Sequence, residues 1–258
     1  MSPSTAGTED LPFGIDFGGS GIKGAPVDLE AGDFATERQR IATPQPATPA
    51  AVAEVLVELL GRFPRSSAAV GITVPGVVRH GVVSSAANID DSWIGTAADA
   101  LFTEATGRDV HVVNDADAAG LAEVRYGAAQ GRRGLVIVTT LGTGIGSALV
   151  HDGVLVANSE LGHLEVEGHN AESRAANSAR EREGLSMEEW AGRLRDYYRT
   201  LERLFSPELF VVGGGISKQA DEFLPLLGLS TQIVPARLLN RAGIIGAALY
   251  ASLASDEA

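Results

Sequence analysis

The stretch that decides the fold is Phe13-Gly-Ile-Asp-Phe-Gly-Gly-Ser-Gly-Ile-Lys23. Its apolar residues at 13–17 predict a short buried strand, residues 18–21 predict a glycine turn, and residues 22–29 predict a returning strand. Glycine at the tip of such a hairpin lets backbone N–H groups approach an anion, because no Cβ blocks the way. The stretch therefore predicts a β-hairpin whose tip is suited to a phosphate group.

The same pattern recurs in the second half of the chain. A β-branched strand is predicted over Leu135–Leu141, followed by the turn Gly142-Thr-Gly-Ile-Gly146 and a returning strand over Ser147–Val150. A third glycine turn, Gly213-Gly-Gly215, follows the predicted strand Leu209–Val212. This repetition indicates two lobes of related construction.

Strands alternate with helices over the rest of the chain, which favours a layered α/β fold. The remaining predicted strands cover 68–74, 77–84, 110–113 and 233–235. One helix is predicted to begin at Thr48, and further helices are predicted over 96–106, 116–126, 186–204, 217–226 and 242–253. We expect a flexible N-terminus (1–12), an N-terminal α/β lobe (13–113) and a C-terminal α/β lobe (114–258) whose final helix packs back on the N-terminal lobe.

Composition excludes several classes of protein. The 258 residues include 45% hydrophobic and 21% charged residues, which is typical of a globular protein. The absence of cysteine excludes disulfides, thiolate metal ligands and cysteine nucleophiles. The net charge of −13 argues against nucleic-acid and anionic-membrane partners, and no signal peptide or membrane-spanning run is visible, so a cytoplasmic protein is expected.

The glycine turns do not match the common nucleotide-binding motifs. A Walker A loop and a dinucleotide fingerprint both open a helix. The turn Gly142–Gly146 is instead followed by a predicted strand. Taken alone, each turn is equally well explained as a hairpin connection that needs a positive φ.

Three charged residues near predicted strand ends have two interpretations each. Asp16 is either a turn-stabilising residue or a carboxylate that holds Mg²⁺ through water. Lys23 is either a solvated strand lysine or a phosphate contact. Asp115, between a predicted strand and a predicted helix, is either a helix N-cap or a catalytic base.

A family resemblance favours the functional interpretations. Five motifs occur in the order found in the ROK sugar kinases: Asp16-Phe-Gly-Gly-Ser-Gly-Ile-Lys23, Asn114-Asp-Ala-Asp117, Leu141-Gly-Thr-Gly-Ile-Gly146, Glu160-Leu-Gly-His163 and Gly213-Gly-Gly-Ile-Ser217. The resemblance covers residues 13 to 253 and implies a two-lobed ribonuclease-H-like (actin/hexokinase-type) ATPase fold. The stretches Thr43–Pro49, Asn88–Thr96 and Asn114–Glu123 look more specifically like the actinobacterial polyphosphate glucokinases.

The resemblance implies a role for individual residues. It makes Asp115 the catalytic base and implies that glucose is bound by Asn88, Asn114, Asp115, Glu160, His163 and Glu172. It implies that the phosphates of the donor are bound by Asp16, Gly18, Gly19, Ser20, Gly21, Lys23, Gly142, Thr143, Gly144, Gly213, Gly214 and Gly215. Mg²⁺ is expected at Asp16, through water.

One departure from the family pattern is large. Typical members hold zinc with a histidine and three cysteines after the Glu-x-Gly-His element, and a chain without cysteine cannot build that site. No zinc is therefore expected, as in the polyphosphate glucokinase branch. The loss of the cysteines also means that Glu172 is matched to the family's glutamate by its position alone.

The implied activity is transfer of a phosphoryl group from polyphosphate, ATP or both to the 6-hydroxyl of glucose, by a homodimer. A polyphosphate donor needs a basic track, and the candidates are Arg132, Arg133, Lys218, Arg237 and Arg241, which are equally well explained as solvated charges. An ATP-dependent ROK kinase for glucose or another hexose is the main alternative. A sugar-sensing repressor is not expected, since only 12 residues precede the hairpin that holds the first glycine turn. A sugar-binding module and a filament-forming ATPase are further alternatives.

Overall fold

The computed structural model describes residues 11–86 and 89–256. The chain divides into two compact units, Met1–Ala118 with Gly243–Ala258, and Ala119–Ala242. The sequence-based division after residue 113 differs from this at two places. Residues 114–118 of the expected C-terminal lobe belong to the first unit, and so does the final helix from Gly243 onward, which we expect to pack back on the N-terminal lobe.

The strands lie in two larger sheets and two short hairpins. Their bounds are β1 (Phe13–Gly18), β2 (Gly21–Asp28), β3 (Asp33–Phe34), β4 (Gln39–Ile41), β5 (Val70–Val74), β6 (Val78–Arg79), β7 (Val82–Val83), β8 (Val110–Asn114), β9 (Leu135–Leu141), β10 (Ile145–His151), β11 (Val154–Val156), β12 (Glu165–Val166), β13 (His169–Asn170), β14 (Leu209–Gly213) and β15 (Ile233–Pro235).

The α-helices are interspersed with single turns of 3₁₀ helix. Their bounds are α1 (Pro49–Leu60), α2 (Ala98–Thr106), α3 (Asp115–Arg125), α4 (Ala171–Ala175), α5 (Asn177–Glu183), α6 (Met187–Phe205), α7 (Ala220–Phe223) and α8 (Ala242–Asp256). Among the described residues, no helix is both long enough and apolar enough to span a bilayer.

The sheet of the first unit has the strand order β3-β2-β1-β5-β8, and β4 also pairs with β2. Strand β1 is antiparallel to β2 and parallel to β5, which is parallel to β8. The pairing of Gly18 with Gly21 confirms the predicted hairpin and its glycine tip. The core of this unit includes Phe17, Trp93 and Phe102, and the ring of Trp93 contacts both of the others.

The sheet of the second unit repeats this arrangement. Its strand order is β11-β10-β9-β14-β15, with β9 antiparallel to β10 and parallel to β14. Strand β14 is in turn parallel to β15. Each sheet thus contains an antiparallel glycine hairpin followed by two parallel strands, which confirms the repeat predicted from the two glycine turns.

Local signals account for several helix ends. Thr48 caps α1 by accepting a hydrogen bond from the N–H of Ala51. The predicted capping box at the start of α6 is confirmed, since Ser186 and Glu189 each accept from the backbone N–H of the other. The predicted helix over 217–226 is wrong in detail: α7 covers only four residues and is flanked by 3₁₀ turns.

The final helix packs unusually close to the sheet of the first unit. A Cβ on Gly71 would lie 1.8 Å from the carbonyl oxygen of Ala247, and a Cβ on Gly14 would lie 1.9 Å from that of Ile244. Both distances are far below van der Waals contact. Glycine on β1 and β5 is therefore the reason that α8 can contact the sheet backbone directly.

This packing predicts opposite effects for two glycine substitutions. Gly71→Ala should lower the free energy of unfolding by about 1–3 kcal/mol, because the methyl group forces α8 away from β5. Gly192→Ala, within α6, should raise it by about 0.5–1 kcal/mol, because alanine is the better helix former and no atom lies within 4 Å of the new Cβ.

Urea denaturation of both variants would measure the two changes. A Gly71→Ala protein as stable as the parent would show that the close contact between α8 and β5 is not required.

Candidate functional site

Asn114, the last residue of β8, fixes the start of helix α3. Its Oδ1 accepts hydrogen bonds from the N–H groups of Ala116 at 2.8 Å and Asp117 at 3.1 Å. Its Nδ2 donates to the carbonyl of Gly76 at 3.0 Å, and the side chain is buried. Asn114 is thus the helix cap, and its two functional groups are engaged within the protein.

Asp115 begins α3 immediately after this cap. Its side chain is exposed, and one carboxylate oxygen accepts from the N–H of Ala116 at 2.9 Å. The alternative role of Asp115 as the N-cap is wrong, because Asn114 occupies that position. A carboxylate in the first turn of a helix is stabilised by the partial positive charge of the helix terminus.

The first glycine turn is held through its carbonyl oxygens. Arg40 donates to the carbonyl of Ser20 at 2.6 Å, and the Thr43 hydroxyl donates to that of Gly18 at 2.5 Å. These contacts use no N–H group of the turn. Strand β4 and the residues just after it therefore support the turn, although no role was predicted for them from the sequence.

Asp16, at the end of the same hairpin, has two side-chain partners. Its Oδ2 lies 3.3 Å from Nζ of Lys23, and its Oδ1 lies 3.4 Å from the Thr73 hydroxyl. Asp16 and Lys23 are also paired across β1 and β2. Lys23 is thus not a freely solvated lysine, because its ammonium group contacts the carboxylate.

In the second unit, the structure brings Glu160, His163 and Glu172 together. The Nε2 atom of His163 lies 3.7 Å from Oε2 of Glu160, and its Nδ1 atom lies 3.6 Å from Oε1 of Glu172. Asn170 contributes a further contact, since its Nδ2 lies 3.2 Å from Nδ1 of His163. Asn170 carries no motif signal of its own and is not among the residues predicted from the sequence.

Glu172 also connects this cluster to the second glycine turn. Its Oε2 accepts a hydrogen bond from the N–H of Ile145 at 3.2 Å. A Cβ on Gly144 would lie 2.5 Å from the same oxygen, so glycine is needed for this contact. Glu172, which was chosen from the family resemblance, thus lies between His163 and the turn.

Two short helices that the sequence analysis did not predict support this turn. Helix α4 carries Glu172, and helix α5 carries Ser178, whose N–H donates to the carbonyl of Gly142 at 3.1 Å. The Ser178 hydroxyl donates to the carbonyl of Thr143 at 2.5 Å. Both helices follow the Glu160–His163 element in the sequence.

The second and third glycine turns lie side by side. Gly213 pairs with Thr140 in the parallel ladder of β14 and β9. Gly214 has φ near +85°, and a Cβ there would lie 2.3 Å from the carbonyl oxygen of Leu141. Both turns therefore follow the carboxyl ends of neighbouring parallel strands, where open α/β sheets bind their ligands.

The candidate cations of the second unit fall into two groups. Lys218 follows the turn after β14, and Arg237 and Arg241 follow β15, at the same edge of the sheet as the glycine turns. Arg132 and Arg133 instead precede β9, and Arg132 donates at 2.9 Å to Oε1 of Gln232, which precedes β15. The five cations therefore do not form one continuous track.

Burial raises the pKa of the Glu160 carboxyl above its ordinary value. The charge of Glu172 adds to the rise, and the charge of His163 opposes it. A carboxyl of raised pKa beside a histidine accepts or donates a hydrogen bond according to its protonation state. The cluster is suited to binding hydroxyl groups, which both donate and accept.

Asn88 lies outside the described residues. Among the described residues, no group of three or more histidine, aspartate or glutamate side chains is arranged to hold a metal ion. A metal at Asp16 would thus need most of its ligands from another molecule.

Comparisons with known proteins agree with these observations. The model of the ROK family matches residues 12–178. Polyphosphate glucokinase from Mycobacterium tuberculosis (strain CDC 1551 / Oshkosh) is 51% identical over 245 residues, covering 95% of this chain and 92% of that protein. The crystal structure of inorganic polyphosphate/ATP-glucomannokinase from Arthrobacter sp. strain KM is 56% identical, with a TM-score of 0.89 over 95% of this chain and 100% of that chain.

A more distant solved structure is a ROK family glucokinase from Streptomyces griseus in complex with glucose and AMPPNP. It is 26% identical, with a TM-score of 0.78 over 94% of this chain and 99% of that chain. These neighbours confirm the predicted α/β fold of the actin/hexokinase type.

The capping role of Asn114 predicts a loss of stability on substitution. Asn114→Ala should lower the free energy of unfolding by about 1–2 kcal/mol, because two N–H groups of α3 lose their acceptor. Asn114→Ser should lose less, since serine also caps helices but is too short to replace the bond to Gly76. Equal losses for the two variants in urea denaturation would contradict the capping role.

The raised pKa of Glu160 predicts a pH-dependent effect of Glu160→Gln. Below its ordinary pKa of 4.5 the carboxyl is protonated in both the folded and the unfolded chain, so ionisation then costs nothing. As the pH rises through the folded pKa, the native protein loses stability that the glutamine variant keeps. The variant should therefore gain melting temperature relative to the native protein between acid and neutral pH.

Thermal unfolding at several pH values would measure this difference. Glu104→Gln, at an exposed position, is the control and should show no such trend. A Glu160→Gln advantage that shrinks as the pH rises would mean that the carboxyl is stabilised rather than destabilised as an anion.

Proposed function

We propose, because the chain belongs to the ROK family, that it is a glucokinase that transfers a phosphoryl group from inorganic polyphosphate to the 6-hydroxyl of glucose. The observation that carries this proposal is the 51% identity to a polyphosphate glucokinase over 95% of the chain. The motifs that carry the family resemblance lie at the loops described above, and the Glu160, His163 and Glu172 cluster is suited to sugar hydroxyls.

ATP is the second donor that we propose. The name of the Arthrobacter relative includes both polyphosphate and ATP as donors, and that protein is 56% identical to this chain. The donors share a chain of phosphate groups, so one set of phosphate contacts serves both. The same name includes mannose as an acceptor for that protein, which makes mannose the first other hexose to assay.

Asp115 is the proposed catalytic base. Its carboxylate takes the proton of the glucose 6-hydroxyl as that oxygen forms a bond to the terminal phosphorus of the donor. The bond between this phosphorus and the rest of the donor breaks, and the departing chain keeps the bonding electrons. The products are glucose 6-phosphate and either ADP or a polyphosphate shorter by one phosphate.

Positioning of Asp115 is the contribution of Asn114. The cap fixes the first turn of α3 through two N–H groups. The backbone from which the exposed side chain of Asp115 extends is therefore held in place. A general base is effective only within hydrogen-bond reach of the proton that it removes. We therefore assign Asn114 this role in addition to the glucose contact that the resemblance implies for it and for Asn88.

The sugar contacts proposed in the second unit are Glu160, His163 and Glu172. The three side chains present both acceptors and donors within a small region. A site built to hydrogen-bond hydroxyl groups rejects analogues that leave its polar groups unpaired. This is the proposed origin of selectivity for glucose.

The donor phosphates are proposed to bind at the glycine turns. In the first unit these are Gly18, Gly19, Ser20 and Gly21, with Lys23 beside them. In the second unit they are Gly142, Thr143, Gly144, Gly213, Gly214 and Gly215. Turns of this kind present N–H groups to anions, and Lys218, Arg237 and Arg241 supply positive charge at the same sheet edge as the turns of the second unit.

Asp16 fits a magnesium ion that is held mainly by the donor. Mg²⁺ usually binds one or two carboxylates, several waters and the substrate phosphates, so a single carboxylate without a metal cluster suits it. When bound, Mg²⁺ would neutralise charge on the phosphate oxygens of the donor. Asp16 would hold it through water, with Lys23 and Thr73 fixing the carboxylate.

The resemblance also supports proposals about assembly and location. We propose a homodimer without zinc that works in the cytoplasm, where glucose enters glycolysis, and that has no nucleic-acid partner. The acidic composition supports the last point.

The test is glucose 6-phosphate formation from glucose with Mg²⁺, using polyphosphate and ATP in parallel. Asp115→Asn should lower kcat by about 10²–10⁴-fold with both donors, because the base is lost while the shape is kept. Asp221→Asn is the control, since this exposed aspartate also lies in the first turn of a helix. Removal of Mg²⁺ by a chelator should abolish both activities.

The outcomes separate the alternatives. Turnover with ATP but with no length of polyphosphate would make the protein an ATP-dependent ROK kinase. Full activity of Asp115→Asn would show that Asp115 is not the catalytic base. Absence of glucose turnover with both donors would show that glucose is not the acceptor.

A further inference from the structure

Glu123, near the end of α3, is a buried carboxylate that the proposed mechanism does not use. Its relative exposure is 1%, and it takes part in none of the ion pairs found among the described residues. Its partners are three backbone N–H groups. Those of Ala128, Arg237 and Leu238 donate to it at 2.7, 3.1 and 2.7 Å.

The protein backbone surrounds both carboxyl oxygens of Glu123 with hydrogen-bond donors. A buried carboxylate is costly unless its oxygens are hydrogen-bonded, and here both oxygens accept. Gly127 provides the necessary space, because a Cβ on it would lie 2.0 Å from Oε2 of Glu123. Two of the three donors belong to one segment that lies more than 100 residues away in sequence, so the carboxylate fixes that segment.

The fixed segment is the one that leaves the carboxyl end of β15. Ala236 and Leu238 are buried, and Arg237 between them is exposed. Ala236 donates to the carbonyl of Val212, and its Cβ lies 3.7 Å from the position of a Cβ on Gly213. Arg237, the next residue, therefore leaves the chain beside the third glycine turn. Glu123 accepts a hydrogen bond from the backbone N–H of Arg237 itself.

We propose that Glu123 is a positioning residue for the phosphate donor: it holds Arg237 where its guanidinium binds phosphate groups of polyphosphate beyond the one that is transferred. This inference rests on the proposed function. Each inner phosphate of the polymer carries a negative charge, and guanidinium binds phosphate oxygens through paired N–H donors. Glucose carries no charge, so its binding does not depend on this arginine.

Glu123→Gln is the sharpest substitution, because it keeps the shape of the side chain. It replaces one accepting oxygen with an NH₂ group that faces a backbone N–H, so at least one hydrogen bond is lost and the segment shifts. The KM for polyphosphate should rise about tenfold, while the KM for glucose changes by less than about twofold. KM does not depend on how much of the preparation is folded, so reduced stability alone does not produce this split.

Glu202→Gln is the matched control. Glu202 is also a carboxylate that accepts a backbone N–H, that of Thr231, but this contact precedes β15 instead of following it. The control should leave the KM for polyphosphate unchanged. Where Glu123→Gln yields too little folded protein to assay, Arg237→Ala should raise the KM for polyphosphate in the same way.

Three results would overturn the proposal. They are an unchanged KM for polyphosphate in Glu123→Gln, equal rises in the KM for polyphosphate and for glucose, and an unchanged KM for polyphosphate in Arg237→Ala. Failure of the proposed function itself would be recognised separately, because the native protein would then form no glucose 6-phosphate from polyphosphate. Calorimetric titration of the native and variant proteins with polyphosphate would still test Glu123 in that case.

Discussion

Side-chain oxygens that accept backbone N–H groups hold the candidate loops of this protein in place. Asn114 accepts two N–H groups and sets the start of α3. Glu172 accepts that of Ile145 in the second glycine turn, and Glu123 accepts those of Arg237 and Leu238. Buried backbone N–H groups need an acceptor, and these few side chains provide one near the strand ends.

This constraint explains why the candidate residues follow strand ends. The interiors of the two sheets are apolar and closely packed, so polar chemistry is confined to the edges. The repeated arrangement of an antiparallel hairpin and two parallel strands gives each sheet its own glycine turn. In the second unit, the loops after β9, β14 and β15 all leave the same edge, which brings two glycine turns and the Arg237 segment together.

Motif order and strand patterns were sufficient to predict the two hairpins, the glycine tips and the capping box of α6. The convergence of Glu160 and His163 could also be anticipated, because they are three residues apart. The contacts made by Asn170, Ser178 and Glu123 could not. Each is a polar side chain whose partner is a backbone group or a distant residue, and neither periodicity nor spacing carries a signal for such a pair.

The sequence by itself established the α/β class, the repeated glycine hairpins and the absence of a cysteine-based metal site. These properties follow from local patterning and composition, which need no knowledge of distant contacts. Only the tertiary structure decided that α8 lies directly against the backbone of β1 and β5, that the five cations divide between two edges of the sheet, and that Glu123 holds the segment after β15. Each of these depends on residues far apart in the chain, and their proximity is set by packing of whole elements rather than by any residue's own preference.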